Sequence, residues 1–120
     1  MTLYKRNLGQ LGEQKAINFL KNNGFGILKK NFRSYGGEID IIAKKNRCIY
    51  FIEVKTRTNL NKGQPWESVN KRKIYSIKKA ADYFLLKYRF KDYKLRLAII
   101  SLVTGNGSEK LKFYEDTEGR

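Results

Sequence analysis

The chain has 120 residues, enough for one ordinary domain with its own core. Its 26 Lys and Arg stand against 11 Asp and Glu, and the resulting charge of +15 favours an anionic partner, nucleic acid before an acidic membrane surface. Histidine is absent and Cys48 is the single cysteine, which excludes Ser-His and Cys-His nucleophiles, His-containing zinc sites, histidine-based nucleases and an intrachain disulfide.

Asn7, with Gln10 three residues on, resembles a capping box, and Gly24 is a plausible C′ stop, so a first helix is expected over residues 8–23. Glu13 falls on the apolar stripe marked by Ile17 and Leu20, where Gly9, Gly12 and Ala16 are small enough for close approach to a sheet. A carboxylate on that stripe costs free energy unless it is paired or bound to an ion; an edge position open to water is an equal alternative. Strands are expected over 26–34, 38–45 and 48–57, the third apolar enough to be covered on both faces. Residues 56–67 are polar and read as a mobile loop.

A long helix follows, capped by Asn70 and ending near Arg89, with Val69, Ile74, Ile77, Ala81, Phe84, Leu85 and Tyr88 as its buried stripe. Residues 93–104 form a strand, 105–107 a turn and 110–115 a final strand, with 116–120 expected to be disordered. The order α-β-β-β-α-β-β predicts an α/β fold, a mixed β-sheet flanked by helices, in one domain over 1–120. No apolar run approaches the ~20 residues of a membrane span and no signal-peptide core opens the chain, so a soluble, cytoplasmic protein is expected.

The second and third strands carry the chemistry. A two-residue turn at Asn46-Arg47, or a four-residue turn over 45–48, pairs positions whose numbers sum to 93 and sets Asp40 directly across from Glu53. Opposed residues have Cβ atoms roughly 4.5–5.5 Å apart, where like charges are destabilising, so a positive group belongs between them. Alternation puts Phe51, Glu53 and Lys55 on one face, with Glu38 opposite Lys55. Two carboxylates suit a hard cation such as Mg²⁺, which polarises a phosphoryl oxygen and lowers the pKa of a bound water. Lys55 could orient that water or stabilise charge in the transition state, and Glu13 could support the metal shell. A plain cross-strand ion pair between Glu38 and Lys55 is an even alternative for Glu38.

Lys71, Arg72 and Lys73 crowd the first turn of the long helix, where the macrodipole disfavours cations unless a phosphate docks there. Lys78, Lys79 and Lys87 read as solvated helix-face lysines. Arg33, Arg57 and Lys62 flank the candidate site and could grip a phosphate backbone; Tyr35 and Trp66 could stack on bases, although capping the core is an equal role for Trp66. Nothing resembles a base-reading helix, so backbone or shape recognition is expected.

An acid on a first helix, then Asp, then Glu-x-Lys on a hairpin, resembles the PD-(D/E)XK restriction-endonuclease-like superfamily. More closely, Gly12-Glu13, Asn31-x-Arg33, Gly37-Glu38-Ile39-Asp40 and Phe51-Ile52-Glu53-Val54-Lys55-x-Arg57 resemble the YraN family of small bacterial proteins within it. The likeness continues through Gly63, Val69, Lys73 and Ala80-Ala81-x-Tyr83-x-Leu85. The resemblance implies a restriction-endonuclease-like core and Mg²⁺- or Mn²⁺-dependent phosphodiester hydrolysis, with Glu13, Asp40, Glu53 and Lys55 catalytic and the three acids at the metal. Similarity to archaeal Holliday-junction resolvases adds branched DNA and a homodimer to the expectations. One departure stands out: Arg96-Leu97-Ala98-Ile99 occupies the place where such proteins carry Arg-Phe-Asp-Val. Two readings stay open: a metal-dependent endonuclease acting on DNA, branched or distorted structures included, and a non-catalytic nucleic-acid-binding module on the same fold. A basic adaptor for another protein is a weaker third.

Overall fold

The computed structural model describes residues 3–59, 63, 69–105 and 107–116, with the side chains of 3–7 and 116 left aside. The elements are α1 (Leu3–Asn22), β1 (Gly26–Ser34), β2 (Gly37–Lys45), β3 (Cys48–Arg57), α2 (Lys71–Tyr88), β4 (Lys94–Gly105) and β5 (Ser108–Asp116). This is the expected α-β-β-β-α-β-β order. One five-stranded sheet runs β1-β2-β3-β4-β5, antiparallel except for the β3–β4 pair. The parallel pair needs a crossover, and the chain between β3 and β4 contains α2.

Each helix covers one face. Ile77, Ala80, Ala81 and Phe84 of α2 pack with Phe32, Ile39, Ile42, Ile49 and Phe51, while Ala16, Ile17 and Leu20 of α1 pack with Ile41, Ala43, Ile52, Ala98 and Ile100. Of the expected α2 stripe, Ile77, Ala81 and Phe84 are buried and Val69, Ile74 and Leu85 half-buried, whereas Tyr88 stays exposed beside Phe84 and Ala80, not expected, joins the stripe fully buried. α1 begins at Leu3, so Asn7 lies within the helix rather than capping it. Its end follows the glycine expectation: Gly24 has φ 87, its N–H donates to Lys21 O and Phe25 N–H donates to Leu20 O. For α2, Asn70 caps as expected, its side chain accepting from Lys73 N–H at 3.0 Å.

The β1–β2 pairing steps from Lys30↔Ile41 to Phe32↔Ile39, passing over Asn31 and Asp40. Asn31 has φ 50, a left-handed conformation that breaks regular alternation. On β2, Ile39 and Ile42 share the α2 core although they are three residues apart, while Ile41 between them joins the α1 core, so the alternation changes across Asp40; the pairing register itself shifts between Ile27 and Lys29. Asp40 stands outside the ladder pairs, at the edge of the candidate site.

Small residues set how close the helices come. A Cβ on Gly12 would lie 2.0 Å from Thr56 Oγ1, so the expected close approach of α1 is made there, whereas Gly9 has nothing within 4 Å. At the β1–β2 turn a Cβ on Gly37 would lie 2.2 Å from the Ser76 carbonyl of α2. Gly37→Ala is therefore expected to cost roughly 1–3 kcal/mol, because backbone must move against backbone. Gly9→Ala should instead stabilise by about 0.5–1 kcal/mol through helix propensity. Urea unfolding of both variants checks the pair; equal midpoints would contradict this packing.

Candidate active-site cleft

The β2–β3 hairpin fixes the first two acids. Its pairs run from Lys45↔Cys48 to Ile41↔Ile52, the expected register. The next step, Asp40 against Glu53, is not a backbone pair. Asp40 instead turns its carboxylate into the gap, where Oδ2 accepts from Val54 N–H at 2.8 Å. The Asp40 charge still acts on Glu53, raising its proton affinity, while Lys73 and Lys55 lower it.

Glu53 is 6% exposed. Its Oε1 lies 3.5 Å from Lys55 Nζ and 3.4 Å from Lys73 Nζ, while Oε2 is buried without a hydrogen-bond partner. An unmet carboxylate oxygen in a buried position is costly. The burial has a visible source: Glu53 stands in the wall between the cleft and an apolar cavity of about 280 Å³ lined by Phe51, Ile77, Leu97 and Ile99.

Glu13 comes from the other helix. It is partly buried, and it lines the same cleft, of about 880 Å³, as Glu38, Asp40, Glu53, Lys55, Arg57 and Lys73. Burial pushes the Glu13 carboxyl above its usual range and the Asp40 charge adds to the push, against a hydrogen bond to the Asn31 side chain. Asp40 is raised chiefly by burial, against the Val54 amide and Lys73. Burial, then Asp40, raises Glu53, and together they prevail over its two lysines. Burial first, and for Glu13 and Glu53 the Asp40 charge second, thus makes three carboxylates of one cleft hold their protons more tightly than in water.

The residues fit a hard divalent cation on that evidence: an orphaned buried oxygen and an all-oxygen donor set of mutually repelling acids. Among the described residues, however, no three acidic side chains are already gathered tightly enough to hold an ion by themselves. Waters would have to complete the shell, as is usual for Mg²⁺.

Other expectations came out differently. Glu38 pairs with Arg33 across β1–β2, its Oε1 3.4 Å from Arg33 Nε, and not with Lys55, because β1 lies on its other side. Arg33 is thereby engaged, although its side chain is 77% exposed. Lys73, read as one of a phosphate-facing trio, points to the sheet and meets Glu53, while Lys71 and Arg72 stay exposed. Arg57 lines the cleft beside Thr58 and Asn59. Lys62 and Trp66 lie outside the described residues. Sequence reasoning missed the Val54 amide and the Asn31 side chain; the only signal for either was Asn31 standing within a strand, where a left-handed residue marks irregularity. Ala98, at the place of the departure noted above, is 5% exposed in the α1-side core, opposite Ile52. No helix among the described residues is long and apolar enough to cross a membrane.

A sequence model of the uncharacterised protein family UPF0102 matches residues 12–102, which include all of these acids, Lys55 and Lys73. Among curated proteins, the chain is 44% identical over 98 residues to a UPF0102 protein of Persephonella marina, covering 82% of this chain and 84% of that one. It is 41% identical over 107 residues to a UPF0102 protein of Caldicellulosiruptor saccharolyticus, covering 89% and 91%. A UPF0102 protein of Trichlorobacter lovleyi is 44% identical over 103 residues, covering 85% and 81%.

Proposed function

The chain belongs to the uncharacterised protein family UPF0102, and we propose that it is a divalent-metal-dependent endonuclease hydrolysing DNA phosphodiester bonds. The observation that carries this reading is buried Glu53, one oxygen unpartnered and the other shared by two lysines, beside the raised carboxyls of Asp40 and Glu13. A chain of charge +15 that still concentrates acids in one cleft has built a place for a cation within a surface for an anion.

Asp40 and Glu53 would hold Mg²⁺ or Mn²⁺ directly, with Glu13 acting through a water of the shell. The ion, when bound, supplies Lewis-acid polarisation of a phosphoryl oxygen and a more acidic water. The Lys55 ammonium, 3.5 Å from Glu53, is placed to stabilise charge developing on the phosphoryl oxygens or to orient the attacking water. Lys73 restrains the Glu53 carboxylate from the α2 side. The likeness of the Asp40 and Glu53-x-Lys55 arrangement to the PD-(D/E)XK superfamily supports the same chemistry. Branched or distorted DNA is the proposed preference.

A second reading, a nucleic-acid-binding module without hydrolysis, draws on the lack of a preassembled three-acid cage among the described residues. Incubating the protein with single-stranded, duplex, flap and four-way-junction DNA, each with Mg²⁺ or Mn²⁺, separates the two. Cleavage that disappears on chelation supports the nuclease; binding without cleavage of any substrate supports the module.

Charge makes a further prediction for either reading. DNA affinity should fall steeply with salt, by about 10³-fold or more between 50 and 200 mM if six or more phosphates are neutralised. Lys71→Ala/Arg72→Ala should weaken binding and flatten the salt slope by about two counterions, without changing Mg²⁺ affinity, since both side chains stay outside the cleft. A titration of anisotropy against salt decides it. An unaltered slope would remove this patch from the interface.

A further inference from the structure

The outer face of α2 repeats one chemical alternation. Lys71, Tyr75, Lys79, Tyr83 and Lys87 follow one another at a spacing of four, which aligns side chains into a single ridge. Tyr75 is 62% exposed and Tyr83 48%. Lys79 Nζ lies 5.3 Å from the Tyr75 ring centre and Lys87 Nζ 6.0 Å from that of Tyr83. Against six Lys and Arg, α2 carries one acid, Asp82. Lys79 and Lys87 therefore each sit over one face of a tyrosine ring, and with a single acid on the helix most of its positive charge is left for an outside partner.

The β1–β2 turn extends the ridge toward the cleft. Ser76 Oγ donates to the Gly36 carbonyl at 3.4 Å, and Lys79 Cδ lies 3.4 Å from where a Gly36 Cβ would stand. Tyr35, the residue before Gly36, is 98% exposed. The strand leading from this turn enters the cleft wall at Glu38, and α2 enters it at Lys73. Tyr35 and Tyr75 are thus held at the cleft end of the molecule by the contact between turn and helix.

Exposed rings with ammonium groups beside them suit one kind of ligand particularly well. Every base has a π-face to stack on tyrosine, and every linkage has a phosphate for a neighbouring lysine. A duplex hides those faces within its own stack, so a stacking surface selects nucleotides that are unpaired. Tyr75 and Tyr83 are eight residues, or about 12 Å, apart along the helix, so each ring would take its own base.

We infer that the α2 ridge, with Tyr35 at its cleft end, is a binding track for single-stranded nucleic acid. The inference deepens the nuclease reading, resting on it for the direction in which the strand leads: unpaired nucleotides on the ridge, the scissile linkage at the acids. It also gives Lys79 and Lys87 a more specific role than solvation.

The test is fluorescence anisotropy in EDTA with a labelled oligothymidylate and, separately, a labelled duplex of equal length. Tyr83 packs against Phe32 with ring centres 6.0 Å apart, so the Tyr35→Ala/Tyr75→Ala variant is the one that spares the core. It should lose about tenfold or more in affinity for the single strand while duplex affinity changes by less than about twofold. Tyr35→Phe/Tyr75→Phe, which keeps both rings, should bind as wild type does. Equal losses on both probes would reduce the ridge to a plain cationic face and overturn the inference. Unchanged single-strand binding would overturn it too. Chelation keeps the measurement independent of hydrolysis: a protein that binds through the ridge but cuts nothing with metal present sinks the nuclease reading and leaves the track standing.

Discussion

Asp40→Asn is expected to lower metal-dependent cleavage by at least about 10³-fold while leaving the fold intact. Asp40 has two tasks that this substitution separates. Its carboxylate contributes negative charge to the cleft, and its Oδ2 also accepts the Val54 N–H at 2.8 Å. Asparagine keeps an oxygen for Val54 and removes the charge. Alanine removes both, leaving a partly buried amide unpaired at a further cost of about 1–3 kcal/mol. The two variants should therefore be equally inactive yet differ in stability. Single-turnover cleavage with Mg²⁺, paired with calorimetric Mg²⁺ titration, gives the readout. Asp40→Asn should show neither product nor metal-linked heat; near wild-type cleavage would remove Asp40 from the metal site.

That both acids belong to one site was legible because hairpin register is arithmetic. Five backbone pairs from Lys45↔Cys48 to Ile41↔Ile52 obey the sum implied by a turn at Asn46-Arg47, and Asn46 has φ 56, as such a turn requires. The alternation of β3 was legible for the same reason: Phe51 and Ile52 enter opposite cores. The reading failed where a residue answers to tertiary structure. Ideal alternation gives no sign that Asn31 adopts a left-handed backbone, or that Asp40 stands outside the ladder pairs. Nor could it say that Glu38 turns to Arg33, because a middle strand offers each residue two neighbours.

Lys73 teaches the complementary point. Three cations at a helix start look like one anion site when only the macrodipole is considered. The rotation of α2, set by Ile77, Ala80 and Phe84 against the sheet, sends the third of them inward to Glu53 and leaves the first two outside. Stripe membership was readable from the same residues, but what faced the stripe was not. The beginning of α1 was missed for a local reason, since a polar pair three apart resembles a cap whether or not the helix has already begun.

The metal-free protein should be more stable at neutral pH with Glu53→Gln than without it, and this is the sharper test of the cleft. Burial and the Asp40 charge raise the Glu53 carboxyl above its ordinary 4.5. A group that binds its proton more tightly when folded adds stability that is fully present below the unfolded value and is lost as pH rises through the folded one. At neutral pH the ionised carboxylate is therefore a burden that glutamine lifts while keeping the shape. The thermal midpoint of the variant in EDTA should exceed that of wild type, each kcal/mol counting for roughly 4 °C. The gap should close as pH falls below the ordinary glutamate range. Mg²⁺ acts the other way: it should stabilise wild type, by about 2.7 kcal/mol at a hundredfold excess over Kd, and leave the variant where it was. The opposing force comes from Lys55 and Lys73, whose pairing with Glu53 is lost on substitution, but both amines are partly exposed and can be rehydrated. A variant that melts below wild type at every pH in EDTA would mean that those two lysines already satisfy the acid, and then nothing in the cleft calls for a metal ion.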